Sequence, residues 1–228
     1  MPFNATTMGR TMQDSIPRDG AHAHTFVDRS GQLRGRMRFM RFAAIAMLAA
    51  LPFIQSHWPV GGAFNEGLES AGLVLLVVCI AGRLWCSAYI GGRKNYELVI
   101  VGPFSVVRNP LYVFSLIGVT GIGLLTGMLT VTIMFQAIFL AYHHATILRE
   151  EVALQAAYGE PYRDYMRRVP RWLPNPRLWE EPTKIEVQPR FLYLTLRDVG
   201  WIVLLYPVVE GIDWLQESGL VPVLLHLP

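Results

Sequence analysis

Apolar residues along the chain fall in long blocks and polar residues collect between them, the pattern of membrane spans rather than of amphipathic elements around a soluble core. A helix needs about 20 predominantly apolar residues to cross about 30 Å of hydrocarbon. The candidate spans are Phe42 to Trp58, Leu68 to Ile90, Leu111 to Thr126, Met128 to Leu148 and Val199 to Trp214. The third is short, the fifth ends among Glu210 and Asp213, and Leu220 to Pro228 is apolar but too short to cross again. From Met128 to Tyr158 there is neither Gly nor Pro. One helix is therefore expected over that whole stretch, longer at ~1.5 Å per residue than the hydrocarbon is thick. It has to project from the membrane and carry Arg149, Glu150 and Glu151 to the surface. The predicted fold class is all-α, a polytopic membrane bundle of about five transmembrane helices with a cytoplasmic cofactor pocket.

Composition agrees: 52% of the 228 residues are apolar and 16% charged, too few charges for a soluble domain of this size. Charge position adds orientation. All 20 lysines and arginines lie before Phe42, at Arg83, within Arg93 to Arg108, or within Arg149 to Arg197. The connections around Pro59 to Gly67 and Thr126 to Met128 have none. By the positive-inside rule the N-terminus, the Arg93 to Arg108 loop and the Arg149 to Arg197 segment are cytoplasmic and the C-terminus is outside, the topology of a protein of the bacterial inner membrane. The pI near 9.0 then belongs to a membrane surface and not to a nucleic-acid reader. Residues 1–35 lack an apolar run and read as a mobile cytoplasmic tail, which leaves 36–228 as the membrane domain. His22 and His24 lie in a tail without cysteines, and no metal site is expected there. Cys79 and Cys86 stand ~10 Å apart on one helix and cannot bridge to each other.

Two polar clusters carry the candidate chemistry. The first, Gly102 to Tyr112, reads GPFSVVRNPLY between two spans. Pro110 is a helix-start proline, with Asn109 in the cap position that accepts from free backbone N–H groups. The second follows a membrane hairpin: Glu150 and Glu151, then Tyr158, Gly159, Tyr162, Tyr165, Val169, Pro170, Arg171 and Pro174. His143, Ile147, Glu150, Glu151 and Leu154 share one helix face. A basic turn and a carboxylate pair on one membrane face suit a charged soluble cofactor beside a substrate drawn from the bilayer. Ordinary interfacial charges would also explain the glutamates. Gly118, Gly121 and Gly123 line the third span, either for close packing against the fourth helix or as a bare backbone patch for a flat ring. They are not a dinucleotide fingerprint, because no strand-turn-helix surrounds them.

With those residues in hand, the segment from Gly92 to Pro174 resembles the integral-membrane methyltransferases of the isoprenylcysteine carboxyl methyltransferase and phospholipid N-methyltransferase group, in a form common in bacteria. The resemblance rests on GPFSVVRNPLY, on Gly121, Ile122 and Gly123, on the glutamate pair, and on YGEPYRDYMRRVPRWLP. It implies a helical-bundle enzyme that takes S-adenosylmethionine from the cytoplasm and a lipid-like acceptor from the membrane. Carried over by position, it places Arg108, Asn109, Pro110 and Tyr112 at the cofactor pocket, with Gly121 and Gly123 behind it. Glu150 and Glu151 become the paired cofactor-binding or catalytic glutamates, and Tyr162, Tyr165, Pro170 and Arg171 close the site. Arg108, Glu151 and Arg171 are the implied catalytic residues. Two positions depart from the pattern: Asn109 stands where the group has histidine, and Thr146 where prenylcysteine enzymes have an arginine. These departures weaken the expectation of a prenylcysteine carboxylate acceptor more than that of methyl transfer.

The chemistry makes its own demands. Displacement at a sulfonium requires acceptor and methyl in line, so positioning and exclusion of water matter most. A carboxylate acceptor needs no base; an amine must lose a proton. Arg108 suits the methionyl carboxylate as a bidentate partner, and a glutamate suits ribose hydroxyls. An NADPH-dependent sterol-type reductase and a non-catalytic membrane binding protein are the other classes to weigh. The reductases read His, Pro, Asn, Tyr at the turn where this chain has Asn109, Pro110, Leu111 and Tyr112. His143 and His144 are read as hydrogen-bonded interface histidines and not as a metal site. Arg83, inside a span, either snorkels or marks a site. Trp58, Trp85, Trp201 and Trp214 read as belt or packing residues. Lys94, Arg163, Arg167 and Arg168 form a rim suited to anionic headgroups.

Overall fold

The structure, a computed structural model, describes residues 46, 49–59, 61–91 and 98–228, with the backbone alone at 201–203. The expected N-terminal tail, the beginning of the first candidate span, Lys94 and the Trp201 side chain lie outside the described residues. A short strand β1 (Ile54–Ser56) precedes the helices α1 (Ala63–Ile90), α2 (Pro103–Val106), α3 (Pro110–Leu125), α4 (Leu129–Tyr158), α5 (Glu160–Arg168), α6 (Pro189–Val203) and α7 (Leu205–Glu217). A second short strand, β2 (Leu225–Leu227), follows them. The chain is an all-α membrane protein: α1, α4 and the run Pro189–Glu217 are each long and apolar enough to cross, and the apolar α3 is shorter.

α4 is one unbroken helix of 30 residues, as the absence of Gly and Pro requires, and stops where Gly159 takes φ 60. The fifth candidate span begins earlier than its hydropathy indicates, at Pro189, with α6 and α7 separated by a turn at Leu204. The first candidate does not hold as a helix to Trp58. Leu51–Phe53 is a 3-10 turn and Ile54–Ser56 pairs in parallel with Leu225–Leu227. A β-branched residue after Pro52, together with an apolar C-terminal tail too short to cross, favours that exchange of backbone bonds outside the hydrocarbon.

The bundle is centred on an antiparallel contact between α1 and α3, made close by small residues. A Cβ on Gly121 would lie 2.8 Å from the Gly72 carbonyl oxygen, and one on Gly123 would lie 2.6 Å from Thr132 Cα of α4. Gly118 faces Cys79, so the glycines serve two helix contacts rather than the fourth helix alone. Gln136 donates to Thr120 Oγ1 at 2.8 Å across α3 and α4, and the Ser87 and Thr195 hydroxyls meet at 2.8 Å across α1 and α6. Val74 and Val77 of α1 and Ile133 of α4 are exposed, the outer face expected against lipid tails.

The ends of the bundle differ. At one end the stretches without basic residues meet: Ser56 Oγ donates to the Gly127 carbonyl at 2.9 Å, Thr130 N donates to the Pro228 carbonyl at 2.9 Å, and β1 pairs with β2. The Gln216 amide ties α7 to the same place, donating to the carbonyls of Pro52 and Ile54 at 3.0 Å. The two motif clusters lie at the other end, where α1 and α4 finish and α3 begins.

Candidate active site

Backbone geometry brings the two clusters together. Gly102 sits at φ 60, where a side chain is strained, and a Cβ there would overlap the Tyr89 ring. It opens the α2 turn, and its N–H donates to the Glu180 carbonyl at 2.8 Å. Further along, Arg108 N donates to the Pro170 carbonyl at 2.8 Å and Asn175 N to the Val106 carbonyl at 2.9 Å. Tyr165 Oη donates to the Phe104 carbonyl at 2.7 Å, and Glu180 N to Ser105 Oγ at 3.0 Å. The segment after α5 is thus laced along the turn before α3.

That lacing aims two arginines at one carboxylate. Arg108 Nη1 donates to Glu151 Oε1 at 2.8 Å, and Arg171 donates through Nε and Nη2 to Oε1 and Oε2 at 2.9 and 2.7 Å. Glu151 is 6% exposed. It is therefore not the interfacial carboxylate expected from its place near the end of a long helix but the buried centre of an ion triad. The Arg171 guanidinium is held more firmly in its charged form by its bonds to Glu151. Arg108 turns to Glu151 and not to the Glu150 side of the helix, and its Nε is buried without a partner among the described residues. Glu150 has a different environment: Tyr112 Oη donates to its Oε2 at 3.2 Å, and among the described residues no cation pairs with it.

Other predicted residues are redistributed. Asn109 occupies the cap position of α3 but its side chain caps nothing; its amide donates instead to the Arg171 carbonyl at 3.4 Å. Pro110 is buried at the helix start. Of the two readings of Gly121 and Gly123, their close approaches to Gly72 and Thr132, far along α3 from Arg108, favour helix packing over a bare patch for a ring. Tyr162 and Tyr165 are each 3% exposed and pack with Leu98, Ile100, Leu154 and Val169. Burial raises the Tyr165 hydroxyl's pKa; that of Tyr162 goes up to about 12, first by burial and then by the Glu151 charge. Both remain donors. On the expected basic rim, Arg163 pairs with Glu160 at 3.0 Å and Arg167 with Glu160 and Asp164, so α5 neutralises part of its own charge.

The histidines diverge: His144 is exposed, while His143 stacks on Phe139 with ring centroids 3.9 Å apart and lies 5.0 Å from both Tyr112 and Tyr142. Tyr142 and Phe139 thus join the Tyr112 and Glu150 side of the site. Their spacing from Glu150 on α4 was the available signal, obscured because aromatic residues are common in any span. Among the described residues no three His, Cys, Asp or Glu side chains are placed to hold a metal.

The sequence model for phospholipid methyltransferases matches residues 71–161, from α1 through the glutamate pair to the start of α5. The cobalt-zinc-cadmium resistance protein CzcN of Cupriavidus metallidurans is 33% identical over 85% of this chain and 89% of its own length. The chain belongs to the phospholipid methyltransferase family. The nickel-cobalt-cadmium resistance protein NccN of Alcaligenes xylosoxydans xylosoxydans is 30% identical over 86% of this chain and 91% of its own. A protein-S-isoprenylcysteine O-methyltransferase of Schizosaccharomyces pombe is 31% identical over 36% of this chain and 35% of its own. No solved structure matches. The family is one of membrane methyltransferases, in agreement with the apolar helices and with the motif residues at one end of them.

Proposed function

We propose that this protein transfers a methyl group from S-adenosylmethionine to a lipid-like acceptor, an amine or a carboxylate, at the cytoplasmic membrane surface. The observation that carries the reading is the charge count at the site. Among the described residues, Arg108 and Arg171 share one carboxylate, Glu151, so that this triad carries one positive charge in excess, while Glu150 beside it takes a tyrosine hydroxyl and no cation. The carboxylate of an amino-acid group fits the guanidinium excess, and Glu150 is left for a ligand hydroxyl or a proton. The buried and unpartnered Arg108 Nε is a donor still to be used.

When bound, the cofactor supplies an electrophilic methyl on a sulfonium. The chain's residues do the rest. Arg108 and Arg171, fixed by Glu151, orient a carboxylate. The Glu150 Oε1 atom, which takes no hydrogen bond among the described residues, is the acceptor for a ribose hydroxyl or for the proton of an amine acceptor, while Tyr112 holds Oε2. The His143, Tyr112 and Tyr142 rings provide an electron-rich, water-excluding wall beside a cation. The positive-inside pattern supports a site that opens to the cytoplasm.

Isothermal titration of the purified protein with S-adenosylhomocysteine, and with NADPH, tests the cofactor; binding of the first alone is expected. Lipid extracts incubated with methyl-labelled S-adenosylmethionine then identify the acceptor class. The names of the full-length relatives support a setting of divalent-metal stress, so loss of the protein is expected to lower cobalt, zinc or cadmium tolerance.

A further inference from the structure

We infer that Arg83 anchors an oxyanion of the acceptor, one helical turn to the membrane side of Glu150. The inference rests on the reading of the site as one for a bilayer-borne acceptor. Arg83 lies seven residues before the end of α1, ~10 Å from Ile90, inside a segment apolar enough to span. A guanidinium does not shed its proton, and a cation at that depth is costly unless paired. Among the described residues no carboxylate pairs with it. Nη1 donates to Ser115 Oγ, Nε is buried without a partner among the described residues, and the side chain is partly exposed. Ser115 Oγ in turn donates to the Leu111 carbonyl at 2.7 Å, so the hydroxyl that holds Arg83 is itself fixed. The arginine reaches sideways to α3 and holds unused donors in place, rather than extending toward the surface.

Its position relative to Glu150 gives the arrangement a purpose. Tyr112, which binds Glu150, and Ser115, which binds Arg83, are three residues apart on one face of α3, ~4.5 Å along its axis. His143 lies within electrostatic reach of both Glu150 and Arg83. Negative and positive groups therefore occupy consecutive turns, the carboxylate nearer the surface and the guanidinium deeper. An amphiphile whose methyl-accepting atom sits at Glu150 and whose phosphodiester or carboxylate lies about one turn further in satisfies both.

The test is native mass spectrometry of the full chain in detergent, titrated with dioctanoyl phosphatidic acid, decanoate and dodecylamine. Variants are Arg83→Gln, Arg83→Lys, Ser115→Ala and, on the exposed surface of α6, Arg190→Gln. Losing hydrogen bonds to a charged group weakens binding by roughly ten-fold or more. Arg83→Gln is expected to lose that much affinity for the oxyanion probe the wild type prefers, phosphate or carboxylate, with Arg83→Lys intermediate. Ser115→Ala is expected to lose less, in the same direction. Dodecylamine and S-adenosylhomocysteine binding should not change. If Arg83→Gln does not fold, a graded loss in Arg83→Lys and Ser115→Ala supports the anchor and unchanged binding in both overturns it. Equal losses in Arg83→Gln and Arg190→Gln, or no oxyanion binding by the wild type, also overturn it, and leave methyl transfer standing if S-adenosylhomocysteine binds. Arg83-dependent oxyanion binding without S-adenosylhomocysteine binding would keep the anchor and remove the methyltransferase reading.

Discussion

Glu151 and Arg171 form a two-bond contact across the end of the bundle, at 2.9 and 2.7 Å, and the same carboxylate takes Arg108 at 2.8 Å. Each partner comes from a different part of the chain: α4, the segment after α5, and the turn before α3. One carboxylate thus joins the two motif clusters, and its neighbour Glu150 stays outside the triad with the Tyr112 hydroxyl.

This division predicts opposite behaviour in adjacent variants. Glu151→Gln leaves two guanidiniums facing a neutral amide. Breaking a buried pair costs about 3–5 kcal/mol, less where a partner is partly exposed, so about 2 kcal/mol is expected. Thermal unfolding in detergent should fall by several degrees. Glu150→Gln should melt like the wild type and lose about ten-fold in S-adenosylhomocysteine affinity. Equal melting temperatures for the two variants would contradict the triad.

Arg108→Lys should impair cofactor binding by roughly ten-fold, because a point charge cannot serve Glu151 and a ligand carboxylate with one planar fork. Arg168→Lys, on the exposed side of α5, should be nearly silent in the same titration. Comparable losses would show that general surface charge is what the site provides.

Topology is checked by cysteine accessibility. Positions 57 and 226 should label from the same side of the membrane, because His57 N donates to the Leu227 carbonyl at 2.8 Å and His226 pairs with Gln55. Position 163 should label from the other side, the cytoplasmic one by charge. Labelling of 226 together with 163 would rule out this arrangement.

Gly102→Ala should lower the yield of folded protein and its melting temperature, since it combines φ 60 with overlap of the Tyr89 ring. Gly67→Ala, on α1 with no atom near its added methyl, is the control and is expected to stabilise slightly, by a few tenths to ~1 kcal/mol. A Gly102→Ala protein as stable as that control would mean the turn accommodates a side chain.

The fold class, the long α4 and the clustering of Arg108, Glu151 and Arg171 at one end of the bundle were legible in the sequence. Span length, the absence of Gly and Pro, and charge placement are local properties, written residue by residue. The unequal roles of Glu150 and Glu151 were not legible, because adjacent helix positions point about 100° apart and only the packing of α5 and of the segment around Pro170 decides which one is buried. Gly121 and Gly123 left close packing and an open patch undecided for the same reason: a glycine states that something comes close without stating what, and here it is Gly72 and Thr132. The β1 and β2 pairing, and the meeting of Arg83 with Ser115, bring together residues distant in sequence. Such contacts depend on which helix faces meet and at what depth, and that only the assembled bundle determines.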